Sequence, residues 1–313
     1  MRVLSRIALG CATLGAFASS AAADIGFATG RQGGSQYPVS VALSQILQKV
    51  PGVGSVSLNP GGGTANIVAV DMGQSELGIT LSNSAYDGVK GLDVFKDKAT
   101  KNVVHLFALH GFKVAIIVPA NGPIKTFKDL AGKKINAGPS GFAITTLART
   151  LFAEEKITLN LQQLEPGAAV QQFKDGNIDG WIYAPSDRMA PFIELATGRD
   201  IRVVPLPDDV VTRLLEKNPS FYKTTWPADP KLYPRLKNTV TTVGYPNTII
   251  ANRAKISDDM AYAMTKAVAE NIKALAAGDP SIDSFDVKDM AVDVGIPTHP
   301  GALRYFKERG WVK

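Results

Sequence analysis

The chain has 313 residues, with 34 Lys and Arg against 28 Asp and Glu, 45% apolar residues and a single Cys. At roughly 150 residues per domain this suffices for two domains with real cores, and ordinary Gly and Pro frequencies without a fixed period exclude fibrous, low-complexity and disordered chains. The charges are interspersed rather than run together, which argues for a solvated surface and against a nucleic-acid footprint, while a net charge of +6 weakly favours acidic small ligands.

Residues 1–23 read as an export signal. Met1, Arg2 and Arg6 form a positive start, Ile7 to Phe17 a short apolar stretch, and Ala21-Ala22-Ala23 a small-residue cleavage site, so Asp24 is the expected mature N-terminus. A lipoprotein reading at Leu9-Gly10-Cys11 leaves too short an apolar stretch before the Cys. Past the signal no run approaches the ~18 apolar residues that span a bilayer, so the mature chain is expected to be soluble. Cleavage also removes the only Cys, Cys11, and with it any disulfide framework.

In chain order, Asp24 to Thr29 is a short buried strand that breaks at a glycine turn and enters a helix over Tyr37 to Val50, with Val39, Leu43, Ile46 and Leu47 on one face. Ser55 to Leu58 is a second strand, followed by Gly61-Gly62-Gly63-Thr64 and a helix through Ile67 and Val70. Leu77 to Leu81 is a third strand. Val103 to Leu109 and Val114 to Val118 are adjacent strands, and Thr126 to Leu130 is a short helix. Then Ile135 to Ala137 passes through Gly138-Pro139-Ser140-Gly141 into a helix holding Ile144, Leu147, Ala148 and Leu151. Ala168 to Asp175 is a further helix and Trp181 to Tyr183 its following strand. Thr239 to Ala251 is strand-like, Ser257-Asp258-Asp259 caps a helix with Met260, Met264 and Val268 on one face, and Leu303 to Phe306 is a short terminal element.

This strand–helix grammar runs twice, and Gly73-x-x-Glu76-x-x-Ile79 echoes Gly176-x-x-Asp179-x-x-Ile182. The expected architecture is therefore α/β in two lobes: residues 24–115 and 250–313 in the first, 116–249 in the second, with two strand crossovers as hinge and the cleft between.

Catalysis finds little support, so the chain is expected not to be an enzyme. The three histidines, His105, His110 and His299, match no metal-ligand spacing, and Gly138-Pro139-Ser140-Gly141 lacks the second glycine of a nucleophile elbow. None of the glycine loops spells a dinucleotide or phosphate-binding motif. No metal and no cofactor is expected. What remains is three glycine-rich turns, each entering a helix, at Gly33-Gly34-Ser35, Gly61-Gly62-Gly63-Thr64 and Gly138-Pro139-Ser140-Gly141. Helix N-termini present unpaired N–H groups and partial positive charge, and glycine lets a ligand approach them; one such loop is commonly just a tight turn, but three in two lobes point to a shared anion-binding cleft.

The run Thr29-Gly30-Arg31-Gln32-Gly33-Gly34-Ser35-Gln36-Tyr37-Pro38 resembles the opening motif of the TAXI family, the solute-binding proteins of TRAP transporters. The similarity continues through Gly63-Thr64-Ala65-Asn66-Ile67, Leu130-Ala131-Gly132-Lys133, Asp175-Gly176-Asn177-Ile178-Asp179 and Thr298-His299-Pro300-Gly301-Ala302. The resemblance implies a type II periplasmic binding-protein fold, a periplasmic monomer, and capture of a small organic anion, a dicarboxylate or acidic amino acid such as glutamate or 2-oxoglutarate, for delivery to an ion-coupled TRAP permease. Alternatives of the same fold are the receptor of an ABC transporter, a sensing module or an extracytoplasmic enzyme. Arg31 and Gln36 depart from the family's small and aromatic residues. The residues expected to hold the anion are Gly34, Ser35, Thr64, Ser140 and Gly141, supported by Gln36, Tyr37, Asn66, Ser82, Asn83 and Tyr183, with Arg31 either reaching a second carboxylate or facing solvent.

Overall fold

The computed structural model describes residues 22–32, 35–140, 142–186, 188–227 and 229–313; nearly all of the expected export signal lies outside them. The first sheet begins with β1 (Ala23–Thr29), whose first residue is the one expected to precede cleavage; its N–H donates to Gly52 O at 2.8 Å. Helix α1 (Gln36–Leu47) follows, burying Val39, Leu43, Ile46 and Leu47 on one stripe as the spacing predicts. Next come β2 (Val53–Pro60), α2 (Gly63–Asp71), β3 (Leu77–Leu81) and α3 (Ser82–Lys90). β1 lies between β2 and β3, parallel to both, and α1 and α2 supply the crossover connections that parallel strands need.

β4 (Val103–Lys113) leaves this sheet through Val114 straight into β5 (Ala115–Pro119) of the second. There β6 (Lys134–Asn136), α4 (Ala143–Glu154), β7 (Asn160–Gln162), α5 (Pro166–Lys174), β8 (Gly180–Tyr183), α6 (Ala190–Gly198) and β9 (Ile201–Val203) build the order β7-β6-β8-β5-β9. After α7 (Asp208–Lys217), β10 (Tyr222–Trp226) and β11 (Val240–Asn252) return the chain to the first sheet. β11 pairs with β3 and with β4, both antiparallel.

The return therefore comes at β10, upstream of the 249/250 boundary expected from the sequence. Pairing and packing divide the work here: β10 and β11 hydrogen-bond in the first sheet, while Trp226 and Val240 at their far ends pack with Phe192 and Trp181 of the second core. The crossover is tied side to side, with Val114 N–H donating to Val243 O at 2.9 Å and Thr242 Oγ1 to Val114 O at 2.7 Å.

The C-terminal helices α8 (Asp258–Glu270) and α9 (Pro300–Glu308) belong to the first core. Ala261, Met264 and Val268 share it with Phe27, Leu43 and Ile79. Ser257 caps α8 by accepting from Met260 N–H at 3.2 Å, and Asp258 and Asp259 sit in the first turn, where the helix dipole favours them. The helices α3, α6 and α7 are not among the sequence expectations. α7 carried a legible signal nonetheless: Asp208 and Asp209 after Pro207, and Lys217 in its last turn.

Candidate functional site

The cleft between the two sheets is assembled from strand ends. β1 ends at Thr29 and turns through Gly30 and Arg31 toward α1; β2 ends at Pro60 and turns through Gly61 and Gly62 into α2; β6 leads through Gly138 and Pro139 into α4. Gly62 and Gly63 hold φ of 124° and 46°, backbone that side chains disfavour, so this turn needs glycine. At Gly138, φ is 78° and an added Cβ would lie 3.1 Å from the Tyr183 ring, so glycine lets that ring rest on the loop.

Three helix N-termini therefore line one cavity of about 180 Å³: Ser35 and Gln36 of α1, Gly62 and Gly63 of α2, Phe142 and Ile144 of α4. None of the three has a side chain capping it. The partial positive charge of three helix N-termini therefore borders a common space, which suits an anion. The loops themselves are pinned: Thr145 Oγ1 lies 2.8 Å from both Ala137 O and Pro139 O, with its one proton to donate between them, and Gln36 Nε2 donates to Asn247 Oδ1 at 2.7 Å.

The other walls are largely apolar. Leu81, Phe112 and Tyr245 come from the ends or bodies of β3, β4 and β11, and Ala184, Ser186 and Met189 from the exit of β8. Tyr183 lies 5.9 Å from Phe192, ring stacked on ring. Burial pushes the Tyr183 phenol up to about 12, with Glu165 adding to the effect, and pushes the fully buried Tyr245 higher still. Both keep their protons at neutral pH and are hydrogen-bond donors there.

Of the expected site residues, Arg31, Ser35, Gln36 and Tyr183 come together on this cavity, with Arg31 exposed at its rim. Thr64 and Asn83 instead line a neighbouring space of about 340 Å³, which shares Gly63 with the first and is walled by α3, α4 and α7. Asn66 is buried, and its amide is used by the backbone: Oδ1 accepts from Gly62 N–H at 2.8 Å, and Nδ2 donates to Thr29 O at 3.1 Å and Ile79 O at 2.7 Å. Ser82 is buried against Ser220, while Tyr37 and Ser140 line neither space. Gly34 and Gly141 lie outside the described residues.

Phe112, Phe142, Met189 and Tyr245 were not expected at the site. Nothing local marks them, since each reads as an ordinary core residue until tertiary packing brings it to the cleft. The histidines are structural. His105 Nδ1 lies 2.7 Å from Thr248 Oγ1, with burial lowering its pKa to about 4. His110 Nε2 lies 2.7 Å from Asp279. His299 Nδ1 accepts from Gly301 N–H at 3.3 Å while its Nε2 meets Ile256 O at 3.0 Å, the tautomer of a neutral ring.

Residues 27–310 match the NMT1-like family, nearly the whole described chain. The chain belongs to the NMT1-like family. Among solved structures, this NMT1-like chain is similar to one from the glutathione-import system of GshT and the cystine ABC importer TcyBC of Streptococcus mutans, at 13% identity, covering 85% of this chain and 99% of that one with a TM-score of 0.52. It is also similar to the periplasmic aliphatic sulphonate binding protein SsuA of Escherichia coli, at 19% identity, 84% and 82% coverage and a TM-score of 0.47. A third is the probable amino-acid ABC transporter extracellular-binding protein ytmK of Bacillus subtilis, at 15% identity, 82% and 99% coverage and a TM-score of 0.48. The fold is that of the two-lobed type II periplasmic binding proteins.

Proposed function

We propose that this chain is the solute-binding receptor of a membrane transporter, exported to the periplasm, non-catalytic and monomeric, which captures a small organic anion between its lobes. The observation that carries the reading is the convergence of three uncapped helix N-termini on one cavity between two sheets. Binding between lobes joined by crossover strands suits hinge closure on the solute. The lobes of this proposal meet at the β4–β5 crossover and at the segment between β9 and β10.

Of the two transporter classes, an ABC importer is favoured, because the similar structure with the highest TM-score reported above comes from a system with an ABC importer. A TRAP permease is the second reading, carried by the TAXI-like run Thr29 to Pro38 and its companion segments. Uptake that needs ATP and survives collapse of the sodium and proton gradients supports the first; uptake that follows the gradients supports the second.

The capture itself is tested by a thermal-shift screen of the mature protein across organic acids, amino acids and sugars. A ligand at 100 times its Kd should add about 2.7 kcal/mol of stability. If neutral sugars raise the melting temperature while no organic anion does, the reading fails.

A further inference from the structure

We propose that the solute is an organic monoanion with an apolar body, rather than a dicarboxylate or an acidic amino acid. This rests on the receptor reading above and narrows it to a ligand class. The cavity is polarised. The uncapped N-termini of α1, α2 and α4 converge on it, and Gly62 and Gly63 let a ligand come close to the start of α2. The rest of the lining is hydrocarbon and aromatic: Leu81, Phe112, Ile144, Met189 and the rings of Tyr183 and Tyr245.

A second carboxylate would have to leave water for this largely apolar wall, where the described side chains offer it the hydroxyls of Ser186, Tyr183 and Tyr245 and no cation. Burying a charge without a matched partner is strongly unfavourable. Among the described lining residues Arg31 is the charged one, and it is exposed, beside the Gly62 turn that enters α2. It therefore reinforces the field for one anionic group and does not create a second anion subsite. An aliphatic or aromatic body, in contrast, gains affinity from each apolar group it buries, about fourfold per methylene.

The test is calorimetry on the mature protein, unfolded and refolded to strip carried-over solute. The probes are propanoate, butanoate, 4-methylpentanoate, phenylacetate, glutamate, 2-oxoglutarate and the neutral 4-methylpentanamide. Affinity should climb from propanoate to 4-methylpentanoate, which should bind at least about tenfold tighter than glutamate or 2-oxoglutarate, while the amide binds at least about tenfold more weakly than its acid. Met189→Lys, which puts a cation on the apolar wall, should lower affinity for 4-methylpentanoate and raise it for 2-oxoglutarate. Glutamate or 2-oxoglutarate binding tighter than every monocarboxylate overturns this inference and leaves the anion receptor standing. Binding of the amide as tightly as the acid overturns both, since the helix N-termini would then not be reading charge. Absence of binding by all four monocarboxylates at millimolar concentration also overturns the inference.

Discussion

Asn66 separates a structural role from a binding one. Its buried amide stitches three segments at the cleft: it accepts from Gly62 at the start of α2 and donates to the carbonyls of Thr29 on β1 and Ile79 on β3. Asn66→Ala deletes all three hydrogen bonds, each contributing about 1 kcal/mol net, so the loss should be about 3 kcal/mol. For a chain of this size that lowers the melting temperature by about 5–10 °C. Asn66→Asp should be at least as damaging at neutral pH, because a carboxylate still accepts from Gly62 but sets negative charge against two carbonyl oxygens. That Asp would have its folded-state pKa raised, so the variant should recover stability as pH falls and the carboxyl becomes a donor again. Thermal melts read stability, and calorimetry with 4-methylpentanoate on the folded fraction reads binding, which should stay within about threefold of the parent. An Ala variant melting within about 1 °C of the parent while losing its affinity would refute the staple and make Asn66 a ligand contact.

Asp87, on α3 and facing Asn218 Nδ2 at 3.3 Å, has its pKa raised to about 6 by burial, with Asp93 adding repulsion. A folded-state pKa above the unfolded 3.8 means its contribution is favourable in acid and lost as pH rises through about 6, so Asp87→Asn should raise the melting temperature at pH 7–8 and leave it unchanged below about pH 4. Gly301 sits in the first turn of α9 where an added Cβ would fall 1.9 Å from Asp258 O, so Gly301→Ala should either abolish soluble expression or cost several kcal/mol in urea unfolding. Gly167, exposed in α5 with nothing within 4 Å of that position, is the control: Gly167→Ala should stabilise by about 0.4–1 kcal/mol in the same melts. Arg31→Ala, removing an exposed rim cation, should weaken anion binding by less than about threefold and flatten its salt dependence; a hundredfold loss in calorimetry would place the guanidinium on the solute and undo the backbone-donor account.

The sequence by itself determined the periodic elements and the punctuation between them. α1 and α8 follow from apolar spacing and, for α8, from the Ser257-Asp258-Asp259 cap, because one buried stripe per helix is a local pattern. The glycine turns at Gly62 and Gly138 were legible as helix entries for the same reason: positive φ and close approach leave a residue-type signature. β9, three residues long, left no periodic trace, and the pairing of β11 with β3 and β4 joins segments far apart in the chain. Which residues reach the cleft was decided by tertiary structure. Asn66 and Gln36 are both polar residues beside glycine loops, yet the amide of Asn66 is spent on carbonyls of β1 and β3 while Gln36, its amide tied to Asn247, lines the cavity. Phe112 and Met189 look like any core residue and become a binding wall only because two sheets meet there, since burial against protein and burial against a solute ask the same of a side chain.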